Sequence, residues 1–134
     1  MKVFIDSNIP MYVAGREHPN RAPAQRFLAR VRAGEVEAST STEVLQEILY
    51  RYTALGKREL AREVYDLFVE ICPVVHPVTI ADTDRARDLL GRSGKLSARD
   101  AIHVAVMLNH GVPWIASFDR GFEGIAGIRR LSLA

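Results

Sequence analysis

The sequence predicts an α/β fold built on a mostly parallel sheet covered by helices on both faces. Three observations carry this. Short apolar runs without polar alternation, Lys2 to Ile5 and Trp114 to Ala116, suit strands buried on both sides. Longer segments between them repeat apolar residues at helical spacing. The two kinds alternate along the chain, which is the pattern of a parallel sheet. The 134 residues fit one domain spanning 1–134, large enough to bury about two-thirds of its unfolded surface.

Taken in order, Lys2 to Ile5 is a β-rich run stopped by Asp6-Ser7-Asn8, a turn or cap signal. Ile9 to Ala14 predicts a short helix, with Pro10 tolerated in its first turn. Gly15 to Pro23 reads as a polar loop. Ala24 to Ala33 follows as an amphipathic helix showing Phe27, Leu28 and Val31 on one face, with Gly34 as its stop. Val36 to Ala38 predicts a short strand, and Ser39 to Thr42 offers helix caps. Val44, Leu45, Ile48, Leu49, Tyr52 and Leu55 predict a long helix ended by Gly56. Lys57 to Cys72 predicts its partner in a helical hairpin. Pro73 to Pro77 breaks the pattern and leaves Val74-Val75 as an edge strand. Thr79 to Leu90 predicts a helix stopped by Gly91 and Gly94. Ser97 caps another that runs to about Asn109, with Gly111 just beyond it. Trp114-Ile115-Ala116 is a buried strand, Phe118 to Gly127 a loop or short helix, and Ile128 to Leu133 a last strand.

Composition narrows the function classes. Hydrophobic residues at 48% and charged residues at 25% are an ordinary globular balance, so disorder is not expected. No apolar run approaches the roughly 18 residues of a membrane span. The first residues carry Asp6 and lack the apolar stretch of a signal peptide. One cysteine, Cys72, excludes an internal disulfide and a cysteine metal cluster, and a cytoplasmic location is the simplest expectation. The net charge of +2 does not by itself argue for nucleic-acid binding. No Walker loop, Gly-x-Gly-x-x-Gly, Gly-x-Ser-x-Gly or His-Glu-x-x-His occurs.

The acids fall where chemistry is expected. Ligands of such sheets bind outside the carboxyl ends of the strands. Asp6 ends the first strand, and Asp119 follows the strand that reaches Ser117. Asp100, in the first turn of the Ser97 helix, and Glu47, on the Val44 helix, can join them. Four carboxylates drawn together repel one another and lose hydration, a cost that a divalent cation removes. Oxygen ligands favour Mg²⁺ or Mn²⁺ over zinc. Such an ion suits phosphodiester hydrolysis, since it polarises a phosphoryl oxygen and activates water. Each acid also has a structural reading. Asp6 can cap the next helix, Asp119 can serve a turn, and Asp100 can complete a capping box with Ser97. Glu43 stands three after Thr40, also at capping-box spacing, and is read as structural; Glu47 has the solvated face of its helix as its default. His103, in an apolar helix, is read as a satisfied core histidine, and Tyr50, Tyr52 and Tyr65 as core or interface. Joint placement at one rim is the informative signal.

The order and context of these acids resemble the PIN-domain ribonucleases, especially VapC toxins of toxin–antitoxin pairs. The resemblance rests on Phe4-Ile5-Asp6-Ser7-Asn8, Ser41-Thr42-Glu43-Val44-Leu45-Gln46-Glu47-Ile48, Ser97-Ala98-Arg99-Asp100-Ala101-Ile102-His103-Val104-Ala105, and Ile115-Ala116-Ser117-Phe118-Asp119-Arg120-Gly121-Phe122. It implies a three-layer α/β/α PIN-like domain with a central parallel sheet. It also implies an Mg²⁺- or Mn²⁺-dependent endoribonuclease. By motif match, Asp6, Glu47, Asp100 and Asp119 are the catalytic and metal-binding acids, with Asn8 and Ser117 supporting them and Glu123 an optional outer carboxylate. Implied partners are an RNA substrate, a cognate antitoxin and a second copy of the chain, for which the apolar hairpin from Val44 to Ile71 offers a surface. Two alternatives stay open: a catalytically silent PIN-fold module that binds RNA or protein, and a receiver-like phosphoacceptor domain. The latter needs a lysine near the acids, and Lys95 is the only late one.

Overall fold

The computed structural model describes residues 1–133. Its strands are β1 (Lys2–Ile5), β2 (Glu37–Ser41), β3 (Val74–His76), β4 (Trp114–Ala116) and β5 (Arg129–Leu131). They form one sheet in the order β3-β2-β1-β4-β5, and every neighbouring pair is parallel. The helices are α1 (Asn8–Ala14), α2 (Arg21–Arg32), α3 (Thr42–Ala54), α4 (Arg58–Ile71), α5 (Ile80–Arg92) and α6 (Ala98–His110), with a 3₁₀ turn at Arg120–Phe122.

The chain steps outward from β1 to β2 and β3, then returns past both to lay β4 on the free side of β1. Right-handed crossovers on the two legs put α1–α4 on one face and α5–α6 on the other. This is the expected three-layer arrangement. β1 is its axis: Val3, Phe4 and Ile5 are fully buried, and Phe4 and Ile5 stand in register with Ile115 and Ala116 of β4. The direction of winding reverses between β1 and β4, so the crevice at their carboxyl ends is the natural ligand site.

Several boundaries differ from expectation. α2 begins at Arg21, not Ala24, because Pro23 fits a first helical turn whose amides lack partners anyway. β2 runs to Ser41, so Ser39 and Thr40 are strand residues and not caps; Thr40 donates its hydroxyl to the Ile5 carbonyl at 2.9 Å. Glu43 therefore has no capping box with Thr40, and the residue before α3 is Ser41, whose side chain makes no cap bond. α5 continues through Gly91 to Arg92. Its start carries a capping box, with Asp82 Oδ2 accepting from the Thr79 amide at 2.9 Å, which the sequence reading did not identify. β5 is confined to Arg129–Leu131. Ser97 and Gly111 bound α6 as expected: the Ser97 hydroxyl accepts from the Asp100 amide, and Gly111 adopts φ of 67°. Burial raises the Cys72 thiol pKa to about 11, leaving it protonated near neutral pH. Among the described residues no helix is long and apolar enough to cross a membrane.

Candidate active site

The four acids come from four separate elements and line one cleft of about 610 Å³ at the carboxyl rim. Asp6 leaves the end of β1, Glu47 projects from the second turn of α3, Asp100 from the first turn of α6, and Asp119 from the turn after β4. Glu43, one turn before Glu47, does not line the cleft.

Asp6 is the anchor. It is 5% exposed, and both its oxygens are held. Oδ1 accepts from the Ser7 amide at 2.8 Å and Oδ2 from the Ser117 hydroxyl at 2.7 Å. Ser117 is itself fixed, its oxygen accepting from the Asn8 amide group at 3.1 Å and from the Asp119 backbone N–H at 3.0 Å. Asn8 closes the loop by accepting from the Phe118 amide at 3.4 Å. Ser117 and Asn8 thus tie the ends of β1 and β4 together around Asp6. Asp119 also serves its turn, accepting from the Gly121 amide at 2.8 Å.

Glu47 is held by groups that the sequence reading left out. Its Oε2 lies 3.4 Å from Arg99, and its Oε1 lies 3.3 Å from Nε2 of His103. The same nitrogen is 3.7 Å from Asp6 Oδ1. His103 is fully buried and its ring lies 5.5 Å from that of Phe4, so the core assignment holds. Its Nδ1, however, has no partner. With two carboxylates on Nε2 and nothing on Nδ1, the contacts assign the proton to Nε2. The clue in the sequence was position: His103 stands three after Asp100, on the same face of α6.

The electrostatics describe a cluster short of positive charge. Burial raises the pKa of Asp6, outweighing His103 and the Ser117 hydrogen bond. Burial, then repulsion from Asp6 and Asp119, raises that of Asp100. Burial also acts on Glu47, but hydrogen bonds with His103 and Ser7 and the charge of Arg99 outweigh it and lower its pKa. Burial opposes charging His103, yet Glu47, Asp6 and Asp100 together raise its pKa. One ligand atom each from Asp6, Glu47 and His103 lie within 4.8 Å of one another. Two of these atoms are carboxylate oxygens, of Asp6 and Glu47, and the raised pKa values of Asp6 and of Asp100 nearby mark a cluster whose charge a divalent cation would offset.

Two other residues fall elsewhere. Glu123 receives Arg130 at 2.7 Å, outside the cleft, and that pairing followed by the weaker opposing effect of desolvation leaves its pKa lowered. Lys95 donates to the Glu123 carbonyl at 2.7 Å and is absent from the cleft lining, which removes the lysine a receiver-like site requires.

The family model for the PIN domain matches residues 3–128. The chain belongs to the PIN-domain family. Within it, this PIN domain is 44% identical over 130 residues to ribonuclease VapC13 of Mycobacterium tuberculosis, covering 97% of this chain and 99% of that protein. Its fold is similar to that of M. tuberculosis VapC20, a sarcin-ricin loop cleaving toxin, with a TM-score of 0.79 at 20% identity, covering 94% of this chain and 96% of the other. It is also similar in fold to a chain of Rickettsia felis VapBC2 bound to a promoter DNA fragment, with a TM-score of 0.74 at 15% identity and 98% of each chain covered.

Proposed function

We propose that this PIN domain is a metal-dependent endoribonuclease and the toxin of a toxin–antitoxin pair. The observation that carries the reading is the convergence of Asp6, Glu47, Asp100 and Asp119 on one cleft, in a chain so similar to VapC ribonucleases.

Asp6, Asp100, Asp119 and Glu47 are the residues that would hold the ion, and their oxygen chemistry favours Mg²⁺ or Mn²⁺. Bound there, the ion supplies positive charge that polarises a phosphoryl oxygen and makes water more acidic. The protein does the rest. Ser117, Asn8 and the Ser7 amide fix the rotamer of Asp6, and His103 and Arg99 fix that of Glu47, so the ligands are oriented before an ion arrives. One of the four acids would also accept a proton during hydrolysis.

The solved VapBC neighbour supports a cognate antitoxin as partner. A second copy of the chain is the further partner: Leu49, Tyr50, Leu55 and Leu67 of the α3–α4 hairpin stand exposed and offer it an apolar face. The working place of such a pair is the cytoplasm, where RNA and antitoxin meet.

The test is cleavage of a labelled RNA panel by antitoxin-free protein with Mg²⁺, Mn²⁺ or EDTA, beside Asp100→Asn. Cleavage that needs both the metal and Asp100 is expected. Folded, metal-binding protein that binds RNA without cutting any member would replace this reading with the silent binding module.

A further inference from the structure

The cleft lining is chemically of two kinds. One is the acids. The same cleft is also lined by Tyr12, Arg16, Glu17 and His18, from the end of α1 and the loop after it, and by Arg51 of α3, one turn beyond Glu47. Three aromatic rings meet there. His18 lies over Tyr12 with ring centroids 4.7 Å apart and planes tilted by 35°. Tyr12 meets Phe118 edge-on, at 5.2 Å and 83°. Phe118 follows Ser117, so the stack is rooted in the turn that also carries Asp119.

His18 is the outer member, exposed, on the short loop between α1 and α2. Its orientation is set nevertheless, because Nδ1 accepts the Asn20 backbone N–H at 3.0 Å. A nitrogen that accepts carries no proton, so the ring's donor is Nε2. An exposed ring held on one face and at one nitrogen contributes little to the core. What it presents is a preordered π-face in the cleft. Arg16 and Arg51 are paired with no carboxylate among the described residues, although acids line the same cleft. A flat aromatic surface beside two unpaired guanidiniums matches one ligand chemistry, an unstacked base on a phosphate backbone.

We propose that His18, backed by Tyr12 and Phe118, is a stacking platform for an unpaired RNA base next to the scissile phosphate, with Arg16 and Arg51 holding the adjoining backbone. This deepens the nuclease reading and rests on it. It gives the cleft a direction, with the base at the α1 loop and the cut phosphate at the acids.

The experiment compares wild type, His18→Ala and His18→Phe on an RNA whose cleavage position has been mapped. Substrates carry either 2-aminopurine or an abasic site at each position flanking the cut. His18→Ala is expected to lower kcat/KM roughly 5- to 100-fold, the loss of one stacked base. His18→Phe restores most of it. At one flanking position the abasic substrate loses the same factor with wild type and nothing further with His18→Ala. There, 2-aminopurine fluorescence is quenched on binding wild type and His18→Phe, and not on binding His18→Ala. Unchanged melting of His18→Ala separates this from loss of fold. Full activity of His18→Ala, or effects of variant and abasic site that simply multiply, overturns the platform while leaving the nuclease standing. A wild-type protein that cuts no RNA sinks the nuclease reading itself, and the platform with it.

Discussion

Asp6 is nearly buried with both oxygens already hydrogen-bonded, and Asp100 is repelled by both Asp6 and Asp119; the pKa of each is raised, burial being the larger cause. A carboxylate whose folded pKa lies above its unfolded value opposes folding once ionised. In EDTA at neutral pH, Asp100→Asn is therefore expected to melt roughly 2–5 °C above wild type. The sign fixes the pH dependence. The difference is greatest above the raised pKa and shrinks as pH falls through it toward the ordinary aspartate value of about 4. Scanning calorimetry across that range checks this, and a mutant that melts below wild type throughout contradicts it. Ser117→Ala removes the hydroxyl that orients Asp6 without touching a ligand. It should cost about 10- to 100-fold in metal affinity or cleavage, read by metal titration. Asp6 and Asp119 were legible as rim residues because each closely follows a strand, where ligands of such sheets bind. Glu47 and His103 were harder: a partly buried glutamate on a helix and a histidine in an apolar run each have a structural reading, and only their contact across α3 and α6 distinguishes them.

The α5–α6 pair turns on one buried acid. Asp82, 2% exposed, accepts the Thr79 amide and hydroxyl on Oδ2 and Asn109 on Oδ1 at 2.8 Å, tying the start of α5 to the end of α6. Burial raises its pKa, but these hydrogen bonds outweigh that and lower it. Its contribution is thus fully present above about pH 4 and is lost as pH falls through the lower folded value. Asp82→Ala uncaps the helix and strands the Asn109 amide, a loss of about 2 kcal/mol measurable by urea unfolding at neutral pH. A loss under half of that would mean water replaces the carboxylate. The elements themselves were largely readable, since each helix shows its apolar face at 3.6-residue spacing. The misreadings share a cause. Ser39, Thr40 and Ser41 look like caps locally, yet parallel pairing with β1 and β3 recruits them into a buried strand, and Ser39 and Ser41 keep hydroxyls without partners. Tertiary pairing overrides local propensity there.

At the scale of the whole molecule, sequence order and spatial order diverge. A parallel sheet could be read from alternation, but the β3-β2-β1-β4-β5 order could not, because the pairing of β1 with β4 joins segments that share no local signal. Metal binding should be felt by the entire fold, since an ion held by four elements binds only the folded state. At a free concentration a hundred times Kd it adds about 2.7 kcal/mol, or roughly 10 °C in Tm for a chain of this size. Differential scanning fluorimetry with Mn²⁺ should show that rise in wild type and not in Asp6→Asn; equal shifts would place the ion elsewhere. The bond from Ser117 to Asp6 spans 111 residues, and it bears on how the cell makes this protein. Synthesis runs from the N-terminus, so Asp6 leaves the ribosome long before β4 exists to complete its surroundings. A half-made chain has the first carboxylate and neither the hydroxyl that aims it nor the last acid. On the proposed site, the cleft therefore cannot close around its four acids until Ser117 and Asp119 have been translated, which delays any cutting of the message and ribosome that produce the chain.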